Sequence, residues 1–138
     1  MKAVRNALVL LALAAGLNGF AAPVVVTNSG IESEGLNSST IKAVFKGKKV
    51  SWKNNTPVVL AVLKEGPVHE EFLKTAFDIS PSAFSNHWRL TAMSGGGIAP
   101  KTFASEAELL QFVSSTPGAI GYVDEASAND SVKKVALE

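Results

Sequence analysis

Between Lys64 and His69 the chain carries the residue pattern of a small-anion site. An apolar run, Val58 to Leu63, leads into Gly66-Pro67, and Pro67 suits a first helical turn because its missing N–H would have no partner there. A helix N-terminus presents unpaired backbone N–H groups and a partial positive charge to its surroundings. Lys64, Gly66, Val68 and His69 are therefore candidate ligand-binding residues, with the amides of Val68 and His69 as donors and Lys64 as a charge. Glu65, Glu70 and Glu71 oppose an anion, and acidic residues in a first turn satisfy the helix dipole by themselves. The competing reading is an ordinary capped helix without a ligand, with His69 as a first-turn surface histidine.

Ser94-Gly95-Gly96-Gly97 is a second candidate, because flexible backbone can wrap an anion with its amides. Ser94, Gly95 and Gly96 would take an auxiliary role. The stretch lacks the Lys-Ser/Thr ending of a nucleotide-binding loop, and a flexible connector is the alternative. Arg89, beside His87 and Trp88, is the only arginine beyond residue 21 and offers the planar fork preferred by oxyanions. Its alternative is a helix-surface residue paired with a local carboxylate. Two histidines and no cysteine argue against a structural zinc site, and no nucleophile-elbow motif gathers serine, histidine and acid. The expectation is a non-enzymatic protein without catalytic residue, metal or cofactor.

The elements that must position these residues are legible from capping and spacing. Pro23 to Thr27 is a β-branched run of the buried-strand kind, followed by a polar loop from Asn28 to Gly35. Asn37, Ser38 or Ser39 caps a helix in which Ile41, Val44 and Phe45 share a face and which Gly47 ends. Val58 to Leu63 is apolar throughout and predicts a central strand covered on both faces. Val68, Phe72, Leu73 and Ala76 form the inward stripe of the next helix, and Ser80-Pro81 opens another containing Phe84 and Trp88. Ser105 and Glu108 make a capping box for a helix that turns Leu109, Leu110 and Val113 to the core. Pro117-Gly118 stops that helix, and Ala119 to Val123 then reads as a covered strand in which Gly121 leaves room for another backbone or a ligand. A last strand, Val132 to Leu137, is expected after a polar turn at Ala128 to Ser131. Strands alternating with helices predict an α/β layer sandwich.

The N-terminus has the physics of a secretory signal. Lys2 and Arg5 precede an apolar run from Ala7 to Ala15, and Gly19-Phe20-Ala21 supplies small residues for cleavage before Ala22. The run is too short to favour a membrane span. Residues 1–21 are thus expected to be removed, leaving one domain over 22–138. An exported domain without cysteine points to a bacterial periplasm. Removing Lys2 and Arg5 from the 13 basic residues leaves 11 against 12 acidic ones, a net charge of −1. That balance gives no support for nucleic-acid or anionic-membrane partners.

Thr116-Pro117-Gly118-Ala119-Ile120-Gly121-Tyr122-Val123 resembles a signature in the second lobe of the periplasmic phosphate-binding proteins of ABC transporters, within the type 2 periplasmic-binding-protein superfamily. Two further stretches match in the same order. Ile41, Val44-Phe45-Lys46-Gly47-Lys48-Lys49 and Trp52 look like the family's "IF-x-GK" turn before a tryptophan, and Thr56-Pro57-Val58-Val59-Leu60 looks like the strand before its anion-binding turn. The resemblance implies a three-layer α/β sandwich with a mostly parallel sheet, phosphate or a related oxyanion as ligand, and association with an ABC transporter or envelope protein. It departs from the family at the turn itself: an arginine and a Ser-Gly-Thr sequence are replaced here by Gly66-Pro67-Val68, without a hydroxyl. The chain is also about one lobe long where the family has two, so a dimer is a means of restoring the missing wall. The alternative is a ligand-free interaction module using Trp52, Trp88 or the Lys46 to Lys49 patch as its contact surface.

Overall fold

In the computed structural model, which describes residues 22–32, 36–95 and 98–135, the predicted elements appear in the predicted order. The expected signal segment, residues 1–21, lies outside the described residues. Strand β1 (Pro23–Thr27) is followed by helix α1 (Ser38–Phe45), whose first turn is capped by the Asn37 side chain accepting from the Thr40 amide at 2.8 Å. Strand β2 (Val59–Leu63) leads into α2 (Pro67–Phe77) and then α3 (Pro81–Met93), capped by Ser80. Strand β3 (Lys101–Phe103), helix α4 (Glu106–Ser115), strand β4 (Ala119–Asp124), a single 3-10 turn and strand β5 (Lys133–Val135) complete the chain.

The five strands form one open sheet in the order β3-β2-β4-β1-β5. β2 pairs in parallel with both β3 and β4, while β1 is antiparallel to its neighbours β4 and β5. Four strands therefore share one direction and β1 alone runs against them, which makes the sheet mostly parallel. Successive side chains of a strand point to opposite faces. A Cβ on Gly121 would meet Leu109 of α4 at 3.0 Å, whereas the next residue, Tyr122, stacks on Phe72 of α2 with ring centroids 4.0 Å apart. Helix α4 thus covers one face and α1 and α2 the other, giving the three layers.

The core on the second face is aromatic. Phe45 of α1 lies 5.1 Å from Phe72 and 6.2 Å from both Phe77 and Tyr122, in tilted arrangements that satisfy the ring quadrupoles. The fully buried Phe45 and Phe72 each contribute about 1.5–3 kcal/mol of burial free energy, and the partly buried Phe77 less. On the other face there is no room for a side chain at position 121, because a Cβ there would sit 2.6 Å from the Ala61 carbonyl oxygen. Gly118 is still more constrained. Its φ is +84°, and a Cβ would lie 2.2 Å from the Pro57 carbonyl oxygen, so the Pro117-Gly118 turn into β4 admits only glycine.

Three expectations need correction. β3 was not anticipated: three residues, two of them exposed, carry too little periodicity to be read locally, and the strand exists because Lys101–Phe103 pair with Ala61–Leu63. The segment after β1 is not simply a polar loop, since Asn28 and Ile31 are buried. The Asn28 amide donates to the carbonyls of Val113 and Ser114 at 2.9 and 3.2 Å, and its oxygen accepts from the Gly30 amide at 2.9 Å. Finally, Val132 precedes β5 as a buried turn residue, and residues 136 and 137 of the expected last strand lie outside the described residues.

Candidate functional site

The turn from Lys64 to His69 leaves the sheet at the end of β2. The Lys64 amide donates to the Phe103 carbonyl at 2.9 Å, which ties the turn to β3. Gly66 is the N-cap of α2 without a side-chain cap, and its carbonyl accepts from the Glu70 amide at 3.0 Å. Pro67 occupies the first helical position, so Val68 and His69 supply the next two amides, and among the described residues no acceptor is bonded to either. Lys64, Glu65, Pro67 and Glu70 are exposed, and Gly66 and Val68 are partly so. The turn is open to solvent, with two outward N–H groups, one cation and two carboxylates around them.

His69 departs from the expected surface position. It is only 5% exposed, with its ring nearly parallel to that of Tyr122 at 6.0 Å and edge-on to Phe84 of α3 at 6.2 Å. The Tyr122 hydroxyl accepts from the Leu63 amide at 3.1 Å and is hydrogen-bonded to Nδ1 of His69. Burial pushes the His69 pKa below the ordinary histidine value, opposed in part by the Glu70 carboxylate. Burial also raises Tyr122 well above the ordinary phenol range, opposed in part by the Leu63 N–H. Both side chains are neutral at pH 7. The sequence held a signal for this: His69, Phe72, Leu73 and Ala76 stand at i, i+3, i+4 and i+7, so the histidine lies on the apolar stripe of α2.

Lys64, Gly66, Val68 and His69 are thus brought together by one turn, with the His69 amide facing out and its ring facing in. Arg89, Ser94 and Gly95 lie on or beyond the second half of α3, and no hydrogen bond or ring contact joins them to that turn. Arg89 is exposed and donates to the Asn86 side-chain oxygen at 2.6 Å, so its local partner is an amide rather than a carboxylate. The Ser94 hydroxyl donates to the Thr91 carbonyl at 3.0 Å, closing the helix end. Gly96 falls outside the described residues.

The tryptophans proposed as contact surface are buried instead, at 8% exposure for Trp52 and 5% for Trp88. Their indole N–H groups are committed to the carbonyls of Gly118 at 3.0 Å and Phe45 at 2.9 Å. Exposed apolar side chains lie elsewhere, at Val50, Leu90, Met93 and Ile98. Sequence reasoning also passed over a cleft of about 340 Å³ at the opposite end of the sheet, where β1 ends and β2 and β4 begin. Trp52, Lys49 and Lys53 are among its walls.

No family model and no curated protein matches the sequence. Solved structures do match in shape. An ABC-type phosphate transport receptor from Vibrio cholerae superposes with a TM-score of 0.65 at 15% identity, over 86% of this chain and 46% of that one. A Clostridium perfringens protein described as a phosphate ABC transporter substrate-binding protein, solved with bound phosphate, gives 0.64 at 17% identity over 85% and 45%. PstS from Borrelia burgdorferi gives 0.61 at 14% identity over 85% and 47%. The chain spans a little under half the length of each of these structures. It has the fold of a single lobe of the substrate-binding proteins that it resembles.

Proposed function

We propose that this chain is an exported, non-enzymatic recognition lobe for phosphate or a related oxyanion, acting in the periplasm with an ABC transporter. The observation that carries the reading is the open N-terminus of α2, where the amides of Val68 and His69 point away from the helix beside Lys64, in a fold shared with phosphate-transport receptors. A single lobe covers one side of a small ion, so water competes for the other side and affinity is weak. A second copy of the chain or a partner lobe would supply the missing wall.

Phosphate titration of the cleaved protein, followed by calorimetry and amide NMR, tests the reading. Saturable shifts at Gly66, Val68 and His69, weakened by Lys64→Gln, are expected. No heat and no shift at millimolar phosphate, in monomer and dimer fractions alike, overturns it.

A second reading is favoured by the turn's own composition. Gly66-Pro67-Val68 offers no hydroxyl, and Glu65 and Glu70 flank the free amides. On this reading the lobe is a ligand-free scaffold of the cell envelope, and the exposed Leu90, Met93 and Ile98 replace the tryptophans as its contact surface. Recovery of one envelope protein by cross-linking at these positions, together with a silent phosphate titration, distinguishes the two.

A further inference from the structure

The cleft at the start of β2 and β4 is separate from the Lys64 to His69 turn. β2 and β4 are parallel with Val59 opposite Ala119, so Thr56 and Gly118 enter the sheet at one end while Lys64 leaves at the other. Its floor is locked. Asn28 spends its side-chain amide on two carbonyls and its oxygen on the Gly30 amide, and the Trp52 indole N–H is held by the Gly118 carbonyl. These groups shape the cleft and leave it without an unsatisfied polar floor.

The remaining lining divides into two chemistries. Ile31, Leu36 and the Trp52 ring give an apolar wall. Around them, among the described residues, stand Lys49, Lys53, Thr40, Asn54, Thr56 and one carboxylate, Glu32. The Asn54 oxygen already accepts from the Thr56 amide at 3.1 Å, so Asn54 has its NH2 to offer. Among the described lining residues, two cations and one anion leave a surplus of one positive charge. A cleft of about 340 Å³ is of the size that takes small organic molecules, with an apolar body against the wall and few polar contacts to fix it.

From this arrangement we infer that the cleft is a second ligand site, which takes a small organic monoanion with a flat apolar body, its ring against Trp52 and its charged end toward Lys49 and Lys53. Bare phosphate lacks the body that the wall would bury, and a neutral isostere lacks the charge. The site is independent of the proposed phosphate role.

Benzoate, benzamide and inorganic phosphate serve as probes in titrations of the cleaved protein, read at the two indole N–H resonances. Trp52 lines the cleft and Trp88 is buried against Phe45, so the second resonance is an internal control for folding and for non-specific effects. Benzoate is expected to shift Trp52 saturably at millimolar concentration and to leave Trp88 in place. Benzamide and phosphate bind more weakly, and the double variant Lys49→Gln/Lys53→Gln weakens benzoate about fivefold while keeping the Trp88 resonance. The inference is overturned by an unsaturable or absent Trp52 shift, by benzamide or phosphate matching benzoate, or by full benzoate affinity in the double variant. Shifts at Gly66, Val68 and His69 report the other site, so failure of one reading is distinguishable from failure of the other.

Discussion

The Tyr122 hydroxyl is hydrogen-bonded to Nδ1 of His69 beneath the first turn of α2, joining strand β4 to the candidate anion site from below. Because Leu63 donates to the same hydroxyl, the phenol is the junction of strand β2, strand β4 and helix α2. Removing it in Tyr122→Phe leaves a buried backbone N–H and an imidazole nitrogen without partners. A loss of about 1–3 kcal/mol in denaturant unfolding is expected, at unchanged secondary structure.

The same pair sets a pH dependence. His69 is held neutral in the fold, so below the ordinary histidine value of 6.5 the unfolded chain binds a proton that the folded chain resists. Stability therefore rises with pH through the window just below 6.5 and is lost as pH falls through it. Glu70 moderates the effect, and the rings of Phe84 and Tyr122 supply the burial that causes it. His69→Gln removes the titrating group, and its unfolding midpoint should vary less between pH 7 and 5 than that of the parent protein.

Gly118 and Gly121 should respond differently to alanine. Gly118→Ala forces a side chain into positive φ against the Pro57 carbonyl, and a loss of more than about 3 kcal/mol is expected. Gly121→Ala meets the Ala61 carbonyl and the Leu109 side chain, at a cost of about 1–3 kcal/mol as β2 and α4 shift. Equilibrium unfolding of the two variants gives the order directly.

Asn28 anchors the end of β1 to the last turn of α4. Asn28→Ala should cost about 2–4 kcal/mol, since it strips three hydrogen bonds from buried or half-buried backbone groups. Asn28→Asp should be at least as damaging at pH 7, because a carboxylate would face the two carbonyl oxygens that the amide now satisfies. Paired thermal melts of the two variants check this.

Charge substitutions at the open turn should move phosphate affinity in opposite directions. Lys64→Gln weakens binding and Glu65→Gln tightens it, each by about two- to threefold at low salt, because both side chains are exposed and screened. Calorimetry at two ionic strengths measures both the sign and the screening.

What the sequence determined by itself is local. Asn37, Ser80 and Ser105 cap the helices that they precede, Pro67 and Pro81 open helices, and Pro117-Gly118 delivers the chain into β4; each signal acts across a few neighbouring residues. The α/β layer sandwich was legible in the alternation of these elements, and the placing of Lys64 to Val68 on an exposed helix start in the Gly66-Pro67 signal. Tertiary structure alone decided the rest, because those features rest on partners far apart in the chain. His69 meets Tyr122 across 53 residues, Trp52 meets Gly118 across 66, and Asn28 meets Val113 across 85. β3 exists only as a partner of β2, and the reversed direction of β1 is set by its pairing with β4 and β5. No short window of sequence carries the free energy of a contact that forms only when the sheet closes, and for that reason the buried histidine, the buried tryptophans and the cleft beside Trp52 became visible in the fold.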